Sequence, residues 1–170
     1  MRRLILALVL AAAAALGADA TLRKAPSDAG RVIRVVDGDT LHVDVRGRDE
    51  TVRVLGIDTP ELHKPQVPVE CGARAAAAAM RRLAGHRRVR LVGDPTQDRR
   101  DRYGRRLAYV VVRGSGADLG ERLVARGWAE VYVFGKPFRR VQRYRHAARA
   151  ARAGDRGVNA RCDGDFHSEQ

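Results

Sequence analysis

Between Arg31 and Leu55 apolar and polar residues alternate along the chain, interrupted at short intervals by glycine. Val32, Ile33, Val35 and Val36 form a β-branched run that stops at Asp37-Gly38, a dipeptide suited to a tight turn. Leu41, Val43 and Val45 then alternate with His42, Asp44 and Arg46, the pattern of a strand with one buried face. Gly47, Arg48 and Asp49 supply the next turn, and Val52, Val54 and Leu55 mark a third strand ending near Gly56. Three consecutive antiparallel strands are predicted. Residues 60–72 hold Pro60, Pro65 and Pro68 and show no period, so they read as an exposed loop. The period then becomes helical: Ala73, Ala76, Ala77, Met80, Leu83 and Ala84 share a face, and Gly85 ends the helix. Val89 and Leu91 mark a fourth strand, and Leu107 to Val112 a fifth after a very polar connection at 94–104. A short helix around Asp118–Arg126 puts Leu119, Leu123 and Val124 on one side and stops at Gly127. A last helix, about Phe138–Ala153, carries Val141, Tyr144 and Ala148 on one face and arginines elsewhere. The predicted class is α+β, mainly β: five strands and three helices, an order that fits an OB-fold barrel.

The N-terminus follows a different logic. Met1-Arg2-Arg3 is basic, Leu4 to Leu16 is apolar, and Ala18-Asp19-Ala20 offers small residues at a cleavage position. That order is a secretory signal peptide, too short for a stable membrane span. The chain therefore divides into a signal peptide (1–20), a flexible lead-in (21–30), one domain (31–157) and a C-terminal tail (158–170) tied down by Cys162. No later segment is apolar enough to cross a bilayer. The expected product is a soluble, monomeric, secreted protein, extracellular or periplasmic. Cys71 and Cys162 are the only cysteines. In an exported chain they read as one disulfide closing a long loop, worth ~2–4 kcal/mol. Without CxxC spacing they make a poor zinc site.

Charge narrows the partner. The formal net charge is +13, and losing Arg2, Arg3 and Asp19 with the leader leaves +12. A polyanion is the natural partner, because each neutralised phosphate releases condensed counterions. Almost all the positive charge is arginine, with lysine only at 24, 64 and 136, and alanine is equally over-used. Coding bias produces the same composition, so charge alone does not decide the function.

Three clusters carry chemistry: Asp37-Gly38-Asp39-Thr40, Arg53 followed by Asp58-Thr59-Pro60-Glu61, and Asp101-Arg102-Tyr103-Gly104-Arg105. Asp39, Asp58 and Glu61 are hard oxygen donors of the kind calcium takes. Carboxylates near arginines suit phosphodiester chemistry: metal and guanidinium neutralise charge growing on the phosphate while another carboxylate orients or deprotonates water. Taken singly, the first cluster is an ordinary hairpin turn, the second a helix N-cap, and Arg105 a surface arginine.

In order and together, the three clusters closely resemble the staphylococcal nuclease (thermonuclease) family. The likeness continues through Leu107-Ala108-Tyr109, Leu123-Val124 with Gly127, and Lys136-Pro137, covering about residues 31–157. The resemblance implies calcium as cofactor, held by Asp39, Asp58 and the Thr59 backbone carbonyl. It implies Glu61 as general base, and Arg53 and Arg105 as the arginines that hold the scissile phosphate. It also implies Tyr103 as a nucleotide contact, with Arg102 where the family often has a basic residue. The implied substrates are DNA and RNA, cut with little sequence preference to leave 3′-phosphate ends. Two departures stand out. Tyr132 and Phe134 are the nearest matches to the family's nucleotide-contacting tyrosines, with Gly135 shifting the register. Gly157-Val158-Asn159 replaces a Gly-Leu-Trp helix end, with Trp128 a possible compensation. All five histidines read as solvent-facing and structural. A different class, a catalytically inactive OB-fold module that only binds nucleic acid, is set against the enzyme by the acids. Asp39, Asp58 and Glu61 would repel phosphates unless a cation intervened.

Overall fold

The computed structural model describes residues 27–62 and 68–168. The expected signal peptide, the first part of the lead-in and His63 lie outside the described residues. In chain order the elements are β1 (Ser27–Val35), β2 (Thr40–Val45), β3 (Arg48–Val54), β4 (Ile57–Asp58), α1 (Ala73–Ala84), β5 (Arg88–Val92), β6 (Arg106–Val112), α2 (Leu119–Ala125), β7 (Glu130–Val131), α3 (Val141–Ala153) and α4 (Val158–Arg161). Five strands close a barrel in the order β1-β2-β3-β6-β5, and β4 pairs with β7 in a separate two-stranded sheet. All barrel neighbours are antiparallel except β3 and β6. This is the mainly-β OB barrel with three main helices that the periodicity predicts.

Alternation builds the barrel core. Leu41, Val43, Val52, Val54, Val89, Leu91 and Val110 point inward and are buried, while their neighbours on β2, β3 and β5 face out. The strand β1 starts at Ser27, four residues before the predicted Arg31, so residues 27–30 are not a flexible lead-in. Its first half pairs with β5 and its second half with β2, with a bulge between Val32 and Arg34. One strand serving two neighbours is how a small barrel closes. Gly30 sits at that crossing, where a Cβ would come within 2.6 Å of Val43 Cγ1.

Buried acids fasten the helices. Asp118 caps α2 by accepting from the Gly120 and Glu121 N–H groups, and also takes Tyr144 Oη at 2.8 Å and Arg140 Nη1 at 2.5 Å. Asp94, in the connection read only as polar, accepts from Tyr109 Oη and from the Arg139 N–H at 2.7 Å. Burial by itself would raise the Asp94 carboxyl, but these bonds and those from Thr96 outweigh it and hold it below its ordinary value. Tyr144 meets Tyr109 and Phe138 edge to face, and those two rings are tilted against each other, so α3 sits on the barrel through rings and acids together.

The tail is ordered through Ser168. It forms one helical turn, α4, and Val158, Cys162 and Phe166 pack with Cys71 and Trp128 in a second apolar cluster. Trp128 thus packs against the cluster that includes Val158 of the altered Gly157-Val158-Asn159 segment. Cys71 and Cys162 are joined, and the Cys71 N–H donates to the Ser168 carbonyl at 2.7 Å. The loop 60–72 is likewise not exposed throughout: Pro60 and Glu70 are buried.

Candidate active site

The site starts from the turn between β1 and β2. Asp37 Oδ1 accepts from the Asp39 N–H at 3.0 Å and the Thr40 N–H at 2.7 Å, fixing the turn from inside. Only glycine fits at 38, since a Cβ would lie 2.7 Å from the Thr59 side chain. This close approach seats Asp39 against Thr59. Asp39 Oδ2 accepts from both the Thr59 N–H and Thr59 Oγ1 at 3.1 Å, and Oδ1 from Thr40 Oγ1 at 3.0 Å.

Arg53 lies opposite Thr40 in the β2–β3 ladder. Its Nη1 pairs with Asp39 Oδ2 and its Nη2 with Asp58 Oδ1 at 2.5 Å, so one guanidinium spans the two carboxylates. Burial works against the Arg53 charge, but Asp39 and Asp58 more than compensate and raise its pKa. The acids outnumber it. Burial, with the Asp39 charge second and Glu61 adding to it, pushes Asp37 up to about 7. Burial also raises Asp58, with Arg53 opposing and Asp39 reinforcing. A guanidinium between two carboxylates shows that the pair accepts a cation, and the remaining acid excess and hard oxygen donors fit calcium.

Glu61 is placed by its backbone. Its N–H donates to Glu70 Oε2 at 2.5 Å and its carbonyl accepts from the Glu70 N–H at 3.1 Å, so buried Glu70 clamps the base of the loop. Arg105 is set by the tight turn before β6. Asp101 Oδ1 accepts from the Tyr103 and Arg105 N–H groups, and Oδ2 from Arg105 Nε at 2.7 Å. Burial raises the Asp101 carboxyl, but the Arg105 bonds outweigh it and the net shift is downward. The parallel β3–β6 register puts Arg53 opposite Leu107, two residues beyond Arg105. Both arginines therefore belong to the same edge of the barrel.

Tyr103 is 67% exposed and lies between Arg102 and Arg105, whose guanidinium carbons are 4.8 and 5.3 Å from its ring centre. The Tyr132 N–H donates to the Gly56 carbonyl at 3.1 Å, just ahead of β4. Tyr132, Phe134 and Tyr103 are three of the four exposed large hydrophobic residues among those described.

His167 is exposed, as its place in the sequence predicts, yet it also meets three acids. Its Nε2 lies 3.2 Å from Glu130 Oε1 and 3.7 Å from Asp58 Oδ2, and its Nδ1 lies 3.3 Å from Glu70 Oε2. Burial lowers its pKa, but bonds to Glu130 and Glu70 turn the net shift upward. No spacing in the sequence links the tail to Asp58. The only signal was Cys162 five residues before it.

An OB barrel that buries carboxylates beside arginines, instead of presenting only a basic groove, has the architecture of an enzyme acting on phosphate esters. The family model described as Staphylococcal nuclease homologue matches residues 51–159. The chain belongs to the staphylococcal nuclease family. It is 35% identical over 133 residues to a thermonuclease of Staphylococcus hyicus, covering 78% of this chain and 76% of that protein. It is 47% identical over 79 residues to a thermonuclease of Staphylococcus intermedius, 46% of each chain. Endonuclease YncB of Bacillus subtilis (strain 168) is 38% identical over 113 residues, 66% of this chain and 52% of that protein. The chain thus spans about half the length of the latter two. Among the described residues, no helix is long and apolar enough to cross a membrane.

Proposed function

We propose that this phosphodiester hydrolase of the staphylococcal nuclease family is a secreted, calcium-dependent nuclease that cuts DNA and RNA with little sequence preference, leaving 3′-phosphate ends. The observation that carries the reading is the Arg53 guanidinium spanning Asp39 and Asp58 within an excess of buried acid. Calcium held by Asp39, Asp58 and the Thr59 carbonyl would supply Lewis-acid charge to the phosphate. Arg53 and Arg105 grip the phosphate oxygens, each aimed by a carboxylate that fixes its plane. Glu61 takes a proton from the attacking water as its oxygen bonds to phosphorus. The bond from phosphorus to the 5′ oxygen breaks, and that oxygen leaves as a hydroxyl after gaining a proton from solvent. Tyr103, Tyr132 and Phe134 stack on bases, and Arg102 adds charge along the backbone; stacking serves every base, which suits low specificity. The N-terminal signal pattern and the Cys71–Cys162 disulfide support secretion.

The test is a digest of DNA and RNA by the purified protein in calcium, then in chelator, then with calcium restored. Cleavage that disappears and returns, with 3′-phosphate ends, is the expected result. Tight binding without cleavage at any calcium concentration would establish the binding-module alternative.

A further inference from the structure

Asp58 and Glu130 are direct cross-strand partners in the β4–β7 ladder. Like charges facing each other across a strand pair repel, so this pair calls for a cation. The tail delivers one candidate partner, His167, and the three ligand atoms of Asp58, Glu130 and His167 lie within 4.8 Å of one another. Zinc bonds of about 2.0–2.2 Å in a tetrahedron space their ligand atoms roughly 3.3–3.6 Å apart. The 3.2 and 3.7 Å separations from His167 Nε2 already match those edges.

The surroundings follow the same pattern. A metal-binding histidine usually directs its second ring nitrogen to a carboxylate, which fixes its tautomer and orientation. Here Nε2 faces the two acids while Nδ1 lies 3.3 Å from Glu70 Oε2. Glu70 is itself buried and held by the Glu61 N–H. The tail carrying His167 is tied by the Cys71–Cys162 disulfide and by the Cys71 N–H bond to Ser168. The three side chains are 26, 42 and 51% exposed for Asp58, Glu130 and His167, so an ion reaches them from solvent.

We propose that Asp58, Glu130 and His167 form a transition-metal site of the zinc type, and that metal bound there inhibits the nuclease. One imidazole with two carboxylates is a borderline nitrogen and oxygen set that suits Zn²⁺, whereas calcium and magnesium prefer oxygen alone. Inhibition rests on the proposed calcium-dependent function and follows from a shared ligand. Asp58 turns Oδ1 to Arg53 and Oδ2 to His167. A dication on Oδ2 draws charge from the carboxylate and fixes its rotamer, which weakens calcium on the other side.

The test begins with isothermal titration of Zn²⁺ into the purified, disulfide-bonded protein in calcium-free buffer near neutral pH. One ion should bind per chain, and Co²⁺ in its place should give the visible spectrum of a nitrogen- and oxygen-ligated metal. His167→Ala and Glu130→Gln should each weaken zinc by roughly tenfold or more, while Asp39→Asn leaves zinc affinity nearly unchanged. In DNA cleavage, zinc should raise the calcium concentration needed for half-maximal rate in the parent protein but not in His167→Ala. Zinc binding that survives His167→Ala and is lost in Asp39→Asn would overturn the proposal, because zinc would then simply occupy the Asp39–Asp58 pair. Failure to bind zinc at all would overturn it too. If zinc binds as expected but no calcium-dependent cleavage is found, the site stands and only the nuclease reading, with the inhibition built on it, falls.

Discussion

Arg53 and Arg105 are each held by acids of the predicted clusters: Arg53 is half-buried between Asp39 and Asp58, and Arg105 has its Nε on Asp101. A lysine keeps the charge but has no planar fork to divide between a carboxylate and a phosphate. Arg105→Lys should therefore lower kcat by about 10²–10³-fold with a smaller change in KM, as for loss of a transition-state donor. Glu61→Gln should lower kcat by about 10²–10⁴-fold, the usual effect of removing a positioned base. Single-turnover cleavage in saturating calcium, with circular dichroism as a check on folding, measures both. Near-parent rates in the two variants would remove these residues from the site. Asp37 offers a test through pH. Its folded-state pKa is raised to about 7, above an unfolded value of about 3.9. Between those two values the folded protein binds more protons than the unfolded chain, so this group makes stability fall as pH rises. Asp37→Asn keeps the oxygen that accepts from the Asp39 and Thr40 N–H groups and removes the charge. Without calcium it should be more stable than the parent at pH 7, and that difference should shrink towards pH 4 in urea titrations.

Within the elements, Asp118 joins three functions. It caps α2, accepts the Tyr144 hydroxyl from α3 and pairs with Arg140. Asp118→Ala loses the cap and leaves a buried tyrosine hydroxyl without its partner, so it should cost about 2–4 kcal/mol. Tyr144→Phe keeps the ring packing and should cost only about 0.5–1.5 kcal/mol. In urea unfolding both should shift the midpoint without changing the slope. Equal costs for the two would mean that Asp118 acts only through Tyr144.

Across the chain the disulfide carries a distinct load. It closes a 91-residue separation, which the loop-entropy argument rewards with about 4–5 kcal/mol at most, and removing such bridges typically costs about 2–5 kcal/mol. Cys71→Ser with Cys162→Ser should lower stability within that range. Hydrogen exchange should reveal more than global loosening. The Cys71 and Cys162 amides donate to Ser168 and Val158, and their protection should collapse to a greater extent than that of β2 and β3. Uniform loss of protection would show that the bridge stabilises the barrel and not the tail specifically.

Local pattern was enough for the barrel because alternation and helical spacing report which face of a short segment is buried. Leu41, Val43 and Val45, the alanine face of α1 and the stop at Gly85 are legible on those grounds. The acidic and basic clusters were legible for a related reason: each lies within a few residues of sequence, where turn chemistry sets the spacing. Ser27–Gly30 was missed because its polar residues show no face; pairing with β5 makes it a strand. The two-residue strands β4 and β7 are too short for any period and exist only as each other's partners. Asp94 and Asp118 look like surface acids in sequence, yet each is buried by donors far along the chain. His167 is the clearest case. Nothing near it predicts a role, and the bridge to Cys71 together with the β4–β7 pairing sets it beside Asp58. Segment faces are determined by neighbours a few residues away, whereas the partners of a buried charge are determined by whichever distant segments the fold brings to it.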